Sequence, residues 1–259
     1  MSSGAIILVS LAAFLVLLMS LDRLLQAFNR PPGKIFDGIQ LIVAISGVVV
    51  HGILFGGIPW TIKFFLVTIT IPALIEIIGI KTGFPYGKYR YTEKAGAVIP
   101  GGVPLTVILM WWGLLYVAFN TAIALTNILH IGNPDILIII ITAIAVTLWD
   151  LTGDPVAVNA GLWTWEKPGR YYGIPATNFA GWLFTSIIAI LAVRIIAGTF
   201  PDPDNLSIPG WLIFTPVFLF GILLLNYAGA AKKRGLPLAA WISLCYGLFV
   251  LAIFVLNSI

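Results

Sequence analysis

The sequence predicts an all-α polytopic membrane helix bundle of about eight transmembrane helices, with both termini outside. Three observations carry that prediction. Hydrophobic residues make up 60% of the chain and charged residues 9%, far from the roughly one quarter charged that soluble domains carry. The apolar residues gather into runs of the length, about 20 helical residues, that crosses a roughly 30 Å hydrocarbon layer. Those runs are apolar on every side, whereas barrel strands alternate apolar and polar residues over about ten positions.

In chain order the runs are Gly4 to Ala27, Ile35 to Gly56, Trp60 to Ile80, Pro104 to Leu129, Asp135 to Leu151, Phe179 to Gly198, Pro209 to Ala230 and Pro237 to Leu256. The first has no positive segment before it and no small-residue cleavage pattern after it, so it reads as retained. The second carries His51, assigned to packing or to the lining of a lipid groove. Between the second and third the gap is shortest, near Gly57 and Pro59; a bent hairpin hidden there reduces the count to seven. The third holds Glu76 roughly 6 to 8 Å inside its end. In the fourth, Trp111 and Trp112 are assigned to an interfacial belt or to core contacts, as are Trp211 and Trp241. The fifth carries Asp150 and is expected to stop at Asp154, because the residue before Pro155 is pushed out of the helical region. The eighth contains the sole cysteine, Cys245, which leaves no disulfide framework. His130 is placed on the outer surface. Residues 1–259 form a single integral membrane domain.

Lys and Arg orient the chain under the positive-inside tendency. With eight spans, Arg23, Arg30, Lys34, Lys81, Lys88, Arg90, Lys94, Lys167, Arg170, Lys232, Lys233 and Arg234 fall on one side, and Lys63 and Arg194 on the other. Seven spans scatter these clusters over both faces. The larger set marks the cytoplasmic side of the cell membrane. The two long polar connections, 81–103 and 152–178, then emerge together on that side and form the site.

Each charge inside a span costs roughly 2.5–3.5 kcal/mol at the helix centre and needs a reason. Glu76, Asp150 and Asp154 lie near helix C-termini, where the helix dipole and loss of water both favour a neutral acid; at least one of the three is expected to hold a proton. The competing reading has them facing water or paired with Lys81, Arg90 or Arg170. Around them the connections are dense in rings: Tyr86, Tyr89 and Tyr91 among glycines, then Trp163 and Trp165 on one face of an extended segment, with Tyr171 and Tyr172 beyond. Lys167-Pro168-Gly169-Arg170 suits a turn, so a short local hairpin over the helix ends is expected. Asn178 offers a water-binding amide.

Several chemistries lack their motifs. Two histidines cannot build the His boxes of a membrane di-iron oxygenase. No glycine fingerprint or phosphate loop points to a flavin or nucleotide. The single sparse pair in "DLTGD" lacks the second aspartate set of an intramembrane prenyltransferase, and no lysine sits inside a late helix as retinal requires. No cofactor, no metal and no nucleic acid is expected. What remains is acid chemistry on an apolar molecule. A neutral carboxylic acid can protonate a trisubstituted C=C to give a tertiary carbocation, aromatic faces stabilise it, and a carboxylate can deprotonate the water that captures it. If an internal double bond captures the cation instead, the result is cyclisation.

Glu76, Gly79, Thr82-Gly83, Pro85, Gly87, Tyr89 and Tyr91, then Gly102-Val103-Pro104, Asp150, Asp154-Pro155, Trp163, Trp165, Gly169, Tyr171-Tyr172-Gly173, Pro175, Asn178-Phe179 and Gly181-Trp182 resemble the carotenoid biosynthesis membrane protein family. That family includes the carotenoid 1,2-hydratases, the bisanhydrobacterioruberin hydratase type among them. The resemblance is concentrated in Glu76 to Trp182. Tyr86 departs from it, standing where many relatives carry phenylalanine. The resemblance implies a carotenoid hydratase that adds water, without a cofactor, to the terminal isopropylidene C=C of an acyclic carotenoid or another linear polyprenyl chain drawn from the lipid bilayer. Glu76, Asp150 and Asp154 are the candidate catalytic groups, with Asp150, the deeper of the pair, named first as proton donor. Tyr86, Tyr89, Tyr91, Trp163, Trp165, Tyr171, Tyr172 and Asn178 are the candidate substrate-binding residues. The alternatives are a carotenoid end-group cyclase and a non-catalytic carotenoid or lipid carrier. Small-residue helix contacts leave a homo-oligomer open.

Overall fold

A computed structural model describes residues 3–27, 33–132, 134–206 and 209–259, except for the side chains of residues 23–27, 34 and 37. Arg23, Arg30 and Lys34, three of the charges used to orient the chain, therefore lie outside the described residues or side chains. The helices are α1 (Ser3–Ala27), α2 (Lys34–Thr82), α3 (Leu105–Ile128), α4 (Asp135–Ala160), α5 (Ala176–Ala197), α6 (Gly210–Ile213), α7 (Thr215–Lys233) and α8 (Pro237–Leu256). Among the described residues, seven are long and apolar enough to cross a membrane. The chain is a multi-pass membrane protein built as a helical bundle.

α2 has 49 residues, about 74 Å if straight, more than twice the roughly 30 Å hydrocarbon core of a bilayer. It is not straight. At Gly57 the backbone takes φ 77 and ψ 168, a combination open essentially only to glycine. A Cβ on Gly52 would stand 2.9 Å from Thr61 Cγ2, although nine residues of straight helix separate such positions by about 13 Å. Phe55 and Trp60 also meet edge to face across the break. Residues 34–56 and 58–82 thus fold back on each other as two segments, at the gap that the sequence marks with Gly57 and Pro59.

α3 is apolar all round and occupies the centre: Trp111, Leu115, Ala118, Phe119 and Ala122 are fully buried in the main core. α1 packs its Ala5 and Leu8 against Leu212 of α6, beside Val50 and Leu54 of α2. His51 clamps the same region. Its Nε2 donates to the Ile213 carbonyl at 2.6 Å, and its Nδ1 accepts from the Tyr116 hydroxyl at 2.5 Å. That carbonyl is free because the helix breaks at Phe214, between α6 and α7.

Two expectations are corrected. α4 does not stop at Asp154 but continues through Pro155 to Ala160, where Gly161 caps it in the left-handed region. Proline lacks the N–H that would bond the carbonyl four residues back, Leu151; the Tyr171 hydroxyl supplies the missing donor at 2.6 Å. The segment Trp163–Trp165 is extended, but it forms no local hairpin. As strand β2 it pairs antiparallel with β1 (Tyr89–Tyr91), with Tyr89 opposite Trp165 and Tyr91 opposite Trp163. Each polar connection contributes one three-residue strand, and each finds its ladder in the other.

Candidate active site

Glu76 lies in the next-to-last full turn of α2, 3% exposed and facing the bundle interior. Three donors converge on it. The Tyr89 hydroxyl donates to Oε2, the Tyr91 hydroxyl donates to Oε2 at 2.9 Å, and the Trp111 indole N–H donates to Oε1 at 2.9 Å. The phenols come from β1, whose pairing with β2 brings both down toward α2. Burial, and then the charge of Glu76, hold the phenols of Tyr89 and Tyr91 well above their ordinary range, so both remain donors at neutral pH. Glu76 is thereby furnished as an acceptor.

Asp150 and Asp154 are one helical turn apart on α4 and share a face because α4 runs on past Pro155. Both are buried. Asn178, in the first turn of α5, donates from Nδ2 to Asp150 Oδ2 at 2.8 Å and to Asp154 Oδ2 at 2.7 Å. Because one amide nitrogen serves both, the two Oδ2 atoms lie no more than about 5.5 Å apart. Asp150 Oδ1 is buried with no donor aimed at it. Lys81, Arg90 and Arg170 pair with none of the three acids: among the described residues the ion pairs are Lys88–Glu166, at the edge of the sheet, and Asp135–Arg194, at the far end of the bundle. Among the described residues no three His, Cys, Asp or Glu side chains are grouped to hold a metal ion.

Glu76 and Asp154 line one small cavity with Asn178. Its walls are Tyr86, Tyr89, Tyr91, Trp163, Trp165, Val107, Met110 and Trp182, and its volume is about 20 Å³. That is room for a single water molecule. The β1–β2 ribbon roofs it, fastened by the Glu166 N–H to the Lys88 carbonyl and by the Thr92 N–H to the Leu162 carbonyl, both at 2.9 Å. Trp165 Nε1 donates to the Tyr86 carbonyl at 3.0 Å, tying the roof to the turn after α2.

A family model described as carotenoid biosynthesis protein matches residues 36–253 of this chain. The chain belongs to the carotenoid biosynthesis protein family. Every residue of the site lies inside the matched span. A curated relative, bisanhydrobacterioruberin hydratase of Haloarcula japonica, is 35% identical over 120 residues, covering 45% of this chain and 39% of that protein. The matched stretch thus spans well under half the length of that relative. No solved structure matches the chain.

In this member of the carotenoid biosynthesis family, most of the residues singled out from sequence come together: Glu76, Asp154, Asn178, Tyr86, Tyr89, Tyr91, Trp163 and Trp165 share the cavity lining. Asp150 does not line it and reaches it through Asp154 and Asn178. Tyr171 and Tyr172 do not line it either. Tyr171 completes α4, with burial and neighbouring Tyr172 raising its phenol to about 12. Tyr172 accepts from the Leu238 N–H at the start of α8, at 3.2 Å. Sequence reasoning missed two participants. Trp111 is fully buried, in the core contacts that are one of its two expected places, but its bond to Glu76 was not foreseen; Trp182 stacks on it with centroids 3.9 Å apart and planes 21° apart. The signal was present in outline, since a buried acid needs donors and indole N–H is one of few side-chain donors in an apolar span.

Proposed function

We propose that this carotenoid biosynthesis protein is a hydratase that adds water to the terminal isopropylidene C=C of an acyclic carotenoid or similar linear isoprenoid. One observation carries the reading: Glu76 and Asp154 face a common cavity with room for one water, enclosed by aromatic rings. The name of the Haloarcula relative supports it. So does the chemistry, because hydration changes no electron count and asks only for proton transfer.

In this proposal the Asp150–Asp154 pair shares one proton. One Asn178 amide nitrogen bridges both carboxyl groups, and among the described residues neither is ion-paired, so a shared proton removes the repulsion of two like charges held on one donor. Asp154, which lines the cavity, delivers that proton to the inner CH carbon of the double bond, so that the carbon bearing the two methyl groups becomes the cation; this reverses the order suggested by depth alone, with Asp150 as the partner behind. The π pair forms the new C–H bond and leaves a tertiary carbocation. Rings of Trp163, Trp165, Trp182 and the tyrosines face it, each worth up to about 2 kcal/mol once water is excluded. The water beside Glu76 forms the C–O bond and gives its extra proton to the Glu76 carboxylate, which returns it to the aspartate pair through the next water. Net, one H and one OH are added across the double bond. The distribution of Lys and Arg supports a site on the cytoplasmic side of the cell membrane.

Expression in a bacterium that accumulates lycopene or a longer acyclic carotenoid tests the reaction. Each reacted end is expected to gain the mass of one water. Unchanged mass with a ring-bearing product establishes the cyclase instead, and unchanged pigment overturns the hydration of that substrate.

A further inference from the structure

The cavity of about 20 Å³ takes a water but not the end of the chain to be hydrated, which is several times larger. Some side chain therefore stands where that end must go. Tyr86 is in that place. It lines the cavity, yet its ring lies in the seam between two helices: a Cβ on Gly79 of α2 would come within 2.8 Å of Cδ2, and a Cβ on Gly181 of α5 within 2.5 Å of Cδ1. The two edges of the ring rest on bare backbone, one on each helix. On the outer side of the same turn, Phe84 is 61% exposed and meets the 40% exposed Phe184 at 5.7 Å. Phe184 is some 12 Å along α5 by helical rise, at a depth where an exposed ring faces lipid. From Phe84 to Tyr86 the chain thus passes from the lipid face to the acids.

The ring is fully buried, and a single hydrogen bond fixes its tip. Its hydroxyl shares one hydrogen bond with Thr185 Oγ1 at 2.7 Å, while its carbonyl stays anchored by Trp165. Gly83 at φ 84 and Gly87 at φ 82 bracket the turn, two positions where the backbone is free of Cβ clashes. We propose that the seam at Gly79 and Gly181 is a lateral binding slot for the end of a linear isoprenoid chain arriving from the bilayer, and that the Tyr86 ring plugs it until the chain takes its place. A flat, narrow, methyl-bearing chain has about the cross-section of the ring it displaces. The inference rests on the proposed hydration of such a chain.

The test uses the full protein in lipid vesicles and a linear polyene with saturated ends, which has no terminal double bond to hydrate and quenches indole fluorescence as it nears the site tryptophans. Tyr86→Phe and Thr185→Val each remove the same hydrogen bond from opposite sides. Each is expected to speed the saturable quenching phase about fivefold, the worth of one such bond, with the double variant no faster than either alone. Ile195→Ala, on the lipid face far from the seam, is expected to leave the rate unchanged. Unaltered rates in both single variants, or fully multiplicative effects in the double variant, overturn the slot. If quenching behaves as expected but the unsaturated chain is never hydrated, the hydratase reading falls while the slot stands; normal hydration with unaltered quenching removes the slot alone.

Discussion

Glu76 and Asp154 are both carboxyl groups in one cavity, and what separates their roles is the company each keeps. Glu76 takes three donors and gives none; Asp154 shares an amide with Asp150, whose second oxygen has no donor. Replacing Asp154 or Asp150 by Asn, or Glu76 by Gln, is therefore expected to lower the hydration rate by about 10²- to 10⁴-fold, the range of general acid–base catalysis, as measured on purified protein in vesicles. Trp111→Phe keeps an aromatic ring against Trp182 but deletes the pyrrole half of the indole, and with it the N–H to Glu76. The expected cost is about ten- to a hundredfold in rate, from one hydrogen bond to a charged group, with the folded state retained by circular dichroism. The acids were legible in the sequence because a charge in an apolar span must be explained. Trp111 was not, because nothing in a run of apolar residues says which way an indole points; that depends on where α2 lies against α3.

At the level of elements, α4 and the β1–β2 ribbon depend on partners distant in sequence. Tyr171 holds the Leu151 carbonyl that Pro155 leaves free, so Tyr171→Phe is expected to destabilise the protein by about 1 kcal/mol through the unpaired carbonyl, read as a lower midpoint in denaturant, and to lower activity by loosening Asp154. The Lys88–Glu166 pair is more than half exposed on both sides. Exchanging the two residues is expected to leave the thermal midpoint almost unmoved, since such surface pairs contribute little. These contrasts also show where sequence reading stops. The rule that the residue before proline leaves the helix is local, and a tyrosine 20 positions away overrides it. Trp163 and Trp165 announce an extended segment by alternation, but their strand partner lies 74 residues earlier, at Tyr89 and Tyr91, and no spacing encodes that.

For the whole molecule, hydrophobic runs and the Gly57–Pro59 break foretell the spans closely, because in a bilayer the backbone must satisfy itself within each helix. The volume and closure of the site are properties of the assembled bundle, and no single run carries them. Orientation is a claim at this scale too. With Cys245 replaced by Ser, a single cysteine at Glu166 is expected to react with an impermeant thiol reagent only from the cytoplasmic side, and one at Asp204, by the far-end pocket, only from outside; the reverse pattern inverts the topology. The central claim is that the paired aspartates hand a proton to carbon and a water beside Glu76 follows it. Its most direct measurement is single-turnover hydration of a linear carotenoid in deuterated, oxygen-18 water. Each reacted end of the product is expected to carry one deuterium on carbon and one heavy oxygen on the adjacent tertiary carbon, with neither label appearing in Asp150→Asn or Asp154→Asn. Labelling at the native rate in those two variants contradicts the account.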